Sequence, residues 1–114
     1  QIQAAATRAW SDEAHVALNR ESYTRKVRRA AEVLPGVAMP EAGFFLWVPV
    51  RAGEAFTKAL WAETGVKLLP GETLGREGVG RDRVRIALVP DEATCADGLV
   101  RLANSRAWAE ARIE

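Results

Sequence analysis

Cysteine and histidine are almost missing from this chain of 114 residues, with one of each. The lone thiol, Cys95, can form no internal disulfide, and the lone imidazole, His15, leaves too few ligands for a structural zinc. Both are expected to be packing or surface residues, since a histidine without an acid partner is a poor general base. No window approaches the ~20 consecutive apolar residues of a membrane span, and the first residues lack the basic-then-apolar layout of a secretory signal. The expected compartment is therefore the cytoplasm, with no membrane partner. Excess charge of one sign is also missing. With 16 basic and 15 acidic residues the net charge is +1, so no global positive field gathers nucleic acid.

What is present is the balance of a packed globular unit, 48% hydrophobic and 27% charged, and residues 1–114 are expected to form one domain. The opening run, Gln1 to Trp10, is already helix-forming. It reads as though cut from a longer protein, and the chain is expected to be a fragment.

Ser11 followed by Asp12 and Glu13 predicts a helix start, with acids in the first turn favoured by the helix dipole. Val16, Arg20, Tyr23, Val27, Ala30 and Leu34 recur at three- and four-residue steps, and Pro35-Gly36 stops the helix. The opposite face, with Arg25, Lys26, Arg28 and Arg29, is read as solvated rather than as a nucleic-acid patch, because acids interleave and stacking aromatics are missing. Residues 44–50 predict a strand apolar on both faces and therefore buried. A helix lined by Phe56, Ala59 and Leu60 is expected to end at Gly65, followed by a short strand over 66–69.

The glycine-rich loop over 70–80 lacks the GxxxxGK[ST] spacing, and no helix follows to receive an anion. Nucleotide binding is not expected. Over 83–89 a period of two places Val84, Ile86 and Leu88 on one face and Arg83, Arg85, Ala87 and Val89 on the other. Pro90 and Asp91 open a last helix striped by Ala96, Leu99, Ala103, Ala107 and Ala111. The order is helix, two strands, helix, two strands, helix. That pattern predicts an α+β fold with a small, mostly antiparallel sheet and helices packed on it.

The run Ala42-Gly43-Phe44-Phe45-Leu46-Trp47, then Gly65-Val66 leading to Leu69-Pro70-Gly71 with Gly75, then Val84-Arg85-Ile86-Ala87-Leu88, resembles the C-terminal small domain of class I/II pyridoxal-phosphate aminotransferases. The run Trp10-Ser11-Asp12-Glu13, with His15-Val16, Asn19-Arg20, Tyr23 and Lys26, is most similar to the N-succinyldiaminopimelate aminotransferases of bacterial lysine biosynthesis. The resemblance covers nearly all of this chain but about the last third of such an enzyme.

The resemblance implies a transferase, usually a homodimer, in which pyridoxal phosphate moves an amino group from an amino acid to a keto acid. In the family the Schiff-base lysine and the phosphate ligands lie in the large domain. Lys26, Lys58 and Lys67 match none of those motifs, so no cofactor ligand is assigned here and the chain alone is expected to be inactive. Arg85 stands where the family places the arginine that binds the substrate carboxylate. A guanidinium suits that task, offering two parallel donors and a permanent charge; the plainer reading is a solvated strand arginine. Phe45 and Gly43 are further substrate-binding candidates on a segment that runs near the substrate in the family, with ordinary strand packing as the alternative. Pro70 and Gly71 are either a turn or a loop closing toward the cofactor. Alternatives for the whole protein are an aminotransferase of aspartate, aromatic or kynurenine type, the sensor domain of an aminotransferase-like transcription regulator, and a free-standing binding module.

Overall fold

The computed structural model describes residues 1–113; Glu114, the last residue of the expected unit, lies outside the described residues. In chain order the elements are α1 (Ile2–Ser11), α2 (Glu13–Val33), β1 (Phe45–Pro49), α3 (Gly53–Thr64), β2 (Leu69–Pro70), β3 (Arg83–Ala87), α4 (Glu92–Ala103) and α5 (Arg106–Ala111), with a 3-10 turn at Gly71–Thr73. The strands form one antiparallel sheet in the order β1-β3-β2. This is the expected α+β class.

Alternation in β3 does what its period requires. Val84, Ile86 and Leu88 are buried, and they meet Leu46, Val48 and Val50 from β1 and its end in one core. α2 closes that core with Ala30 and Leu34, α3 with Phe56 and Leu60, and the last two helices with Leu99, Leu102 and Trp108. Each fully buried leucine or valine is worth about 1.5–3 kcal/mol relative to exposure, so this one-sided layer is the main stabilising term. Gly65 ends α3 in the left-handed conformation, φ 73°, as its place in the sequence predicts.

Five expectations are corrected. The long helix does not begin at Ser11, which instead closes α1 and donates its hydroxyl to the Thr7 carbonyl at 2.8 Å. Asp12 caps α2, its carboxylate accepting from the Ala14 N–H at 3.0 Å. Only one strand, β1, separates α2 from α3 where two were expected: the segment before it is irregular over 37–40, and Pro40 has no N–H to give a ladder. The strand expected over 66–69 is reduced to Leu69–Pro70 at the edge of the sheet, again where proline cannot donate. The final helix breaks at Ser105, which accepts from the Trp108 N–H, while Glu63 of α3 takes the Arg106 and Ala107 N–H groups. These side-chain caps satisfy α5 as a separate helix.

The fifth correction bears on function. β1 is not buried on both faces, because Leu46 and Val48 point into the core while Phe45 and Trp47 are 37% and 46% exposed. The sheet has helices on one side and an open aromatic face on the other. Of the four tryptophans, Trp108 is core and packs against Phe56, whereas Trp10, Trp47 and Trp61 are exposed.

Candidate carboxylate site on the open sheet face

Arg85 occupies the middle strand of the open face. Its register partners are Trp47 on β1 and Leu69 on β2, and Phe45 pairs with Ala87 two residues further along. That diagonal offset is within reach of an aromatic and a long side chain. The Arg85 guanidinium carbon lies 4.3 Å from the centroid of the Phe45 ring, a cation over an aromatic face. The Arg85 Nε is buried and has no hydrogen-bond partner. A buried donor without an acceptor is uncommon and costly, and here it belongs to a permanently charged fork whose natural complement is a carboxylate.

Two of the three expected site residues are thus brought together. Gly43 is placed apart from that contact, two residues before β1, where it adopts φ 95° and lines a groove of about 380 Å³ with Arg20, Tyr23 and Thr24. A Cβ built on Gly43 would meet nothing within 4 Å, so the positive φ rather than crowding calls for glycine there.

Gly71 is not open toward a ligand. A Cβ on it would lie 2.5 Å from the Gly80 carbonyl oxygen and 2.8 Å from the Trp47 ring. The glycine-rich loop therefore folds back on itself, and Gly71 packs closely against Trp47. His15 is a surface residue, as expected, although an acid stands beside it: Asp12 lies 3.4 Å from its Nδ1 at an exposed helix start.

Lys26, read from the sequence as part of a solvated face, is 6% exposed. Its ammonium donates to the carbonyl oxygens of Leu88 at 3.1 Å and Pro90 at 2.6 Å, with Val89 at 3.5 Å. It ties α2 to the chain leaving β3. Beside it, Arg25 crosses to Glu92 on α4 at 2.6 Å, and that guanidinium holds the Glu92 carboxyl below its ordinary range. The remaining basic groups of the face, Arg28 and Arg29, are exposed as expected. The local signal available for Lys26 was its place three residues after Tyr23 and four before Ala30, at the border of the apolar stripe; its carbonyl partners are 62 to 64 residues away.

On the other side of the sheet, a cavity of about 290 Å³ lies between residues 65–68, the end of β3 and α4. Cys95 lines it, and burial raises the thiol above its ordinary value. The thiol donates to the Pro90 carbonyl, which is a packing role. No helix among the described residues is long and apolar enough to cross a membrane.

Residues 1–102 match the family model described as aminotransferase class I and II. A probable aminotransferase of Mycobacterium tuberculosis is 34% identical over 109 residues, which cover 89% of this chain and 25% of that protein. An aminotransferase from Neisseria meningitidis superposes with a TM-score of 0.75 at 38% identity, over 81% of this chain and 26% of the other. Aminotransferase AspB from Helicobacter pylori gives a TM-score of 0.77 at 32% identity, over 82% and 25%. The chain spans about a quarter of the length of each of these relatives.

Proposed function

Because this chain belongs to the class I and II aminotransferases, we propose that it is the substrate-carboxylate-binding domain, residues 1–114, of a pyridoxal-phosphate-dependent transaminase. The observation that carries this reading is Arg85, with its Nε buried and unbonded and its guanidinium over Phe45 on an open sheet face. In this role Arg85 takes the substrate carboxylate in a two-point grip and fixes the rotation of the amino acid about its Cα. Phe45 walls the guanidinium on one side, and Gly43 lets the preceding segment turn.

On this reading none of the three lysines of the chain is the Schiff-base lysine. Lys26 is spent on carbonyl oxygens and Lys58 pairs with Glu54 at 2.6 Å, while Lys67 is exposed beside the cavity on the opposite side of the sheet. The cofactor, which in such enzymes acts as electron sink, is accordingly held by the rest of the protein. This chain alone is inactive.

The intact protein is a cytoplasmic homodimer that transfers the amino group between N-succinyldiaminopimelate and 2-oxoglutarate in lysine biosynthesis. The run from Trp10 to Lys26 supports that substrate over aspartate, aromatic or kynurenine-type donors. The test is the full-length protein supplied with pyridoxal phosphate and assayed against N-succinyldiaminopimelate and aspartate in parallel. Preference for the succinylated donor is expected. Preference for aspartate overturns the substrate assignment, and no change in cofactor absorbance with any amino acid overturns the transaminase reading in favour of a sensor or binding module.

A further inference from the structure

Arg85 has no hydrogen bond from Nε to set the plane of its guanidinium, so its orientation depends on what it stacks against. The Phe45 ring under it is itself held by Phe44, centroid to centroid 4.4 Å and tilted 54°. Phe44 in turn leans on Tyr23 of α2 at 5.4 Å. On Tyr23 sits the Lys26 ammonium, 4.9 Å from the ring centroid. Two cations thus bracket a continuous run of three aromatic rings.

The run also closes on itself through the backbone. Lys26 donates to the Leu88 carbonyl, and the Leu88 N–H donates to the Phe44 carbonyl at 2.8 Å. Leu88 is three residues beyond Arg85, just past the end of the same strand. Lys26 is therefore connected to Arg85 by two routes, through the rings and through the end of β3. Each ring contact and each cation over a ring is modest alone, but in series they favour the observed orientation of the guanidinium.

We propose that Tyr23 and Phe44 are positioning residues for the Arg85 carboxylate grip, with Lys26 anchoring the series to the end of β3. This rests on the reading of Arg85 given above. The Tyr23 ring, rather than its hydroxyl, does the positioning, because the contacts to Phe44 and Lys26 are both made by the ring.

The test is a double-mutant cycle in the full-length, cofactor-loaded enzyme, reading the Kd for 2-oxoglutarate without an amino donor by calorimetry. Tyr23→Leu is expected to weaken binding about three- to tenfold in the Arg85 enzyme, the scale of losing one or two such contacts. In an Arg85→Lys background, where the planar fork is gone, the same change should cost less than about twofold. Tyr23→Phe should bind like the parent. Phe44→Leu run through the same cycle gives an independent measure, and supports the proposal on the same terms should Tyr23→Leu not fold. Equal losses in both backgrounds, or no loss in the Arg85 enzyme, overturn the positioning role. A Kd unchanged by Arg85→Lys itself overturns the carboxylate reading instead, so the two failures are distinguishable.

Discussion

The guanidinium carbon of Arg85 rests 4.3 Å from the centroid of the Phe45 ring, across the diagonal between β3 and β1. The strand alternation that sends Val84 and Ile86 into the core necessarily sends Arg85 outward. Its half-burial comes from its neighbours Trp47 and Leu69 in register. A permanent charge with an unbonded buried nitrogen is thereby held on a face that the helices do not cover.

Lys26→Met is expected to destabilise the intact protein by about 1.5–3 kcal/mol, the scale of hydrogen bonds made by a charged donor to groups that would be left without it. Arg28→Met, on the exposed part of the same helix, should fall within about 0.5 kcal/mol of the parent. Chemical denaturation of both variants checks this; equal midpoints would show that the buried ammonium contributes nothing.

Gly71→Ala is expected to cost about 3 kcal/mol, because its Cβ would sit against backbone at Gly80 and Arg83 that cannot swing away. Gly98, with open space around a built Cβ, lies within α4, and Gly98→Ala should stabilise by about 0.5–1 kcal/mol through helix propensity. Thermal melts should move in opposite directions for the two variants.

Acid should weaken the joint between α3 and α5 and the cap of α4. The Glu63 carboxyl is lowered by the N–H groups of Ala107 and Arg106, and that of Asp91 by the Thr94 hydroxyl and N–H. A carboxylate whose pKa is lower folded than unfolded leaves the unfolded chain binding more protons, so stability rises with pH through that window. The contribution is complete above the ordinary carboxylate value of about 4 and is lost as pH falls below it through the folded value. Glu63→Gln should flatten the pH dependence of Tm between about pH 5 and pH 2; an unchanged slope would remove Glu63 as a cause.

Much of this architecture was legible because hydrophobic period is local. The alternation over Val84, Ile86 and Leu88 and the glycine after α3 needed no distant partner to be read. The misses at Lys26 and at the 44–50 strand share a cause, since both depend on groups far along the chain. Lys26 looked solvated because its carbonyl partners lie beyond β3, and the 44–50 strand looked buried on both faces because nothing local shows that helices cover only one. The break at Asp12 was missed by one residue, where two adjacent good caps compete. At the site, alternation alone placed Arg85 outward, but the contact with Phe45 required the β1-β3 register, and the aromatic series from Tyr23 required α2 to dock against the same edge.

The central claim is that Arg85 grips the substrate carboxylate. The most direct measurement is kcat/KM for the amino donor in the full-length enzyme with Arg85→Lys and Arg85→Ala. Loss of a charged two-point contact predicts a fall of about 2–5 kcal/mol in transition-state binding for Arg85→Ala, some thirtyfold or more. Arg85→Lys is expected to recover only part of it, since a point charge lacks the fork. A fall of less than about tenfold in Arg85→Ala, with the cofactor bound as in the parent, would contradict the account.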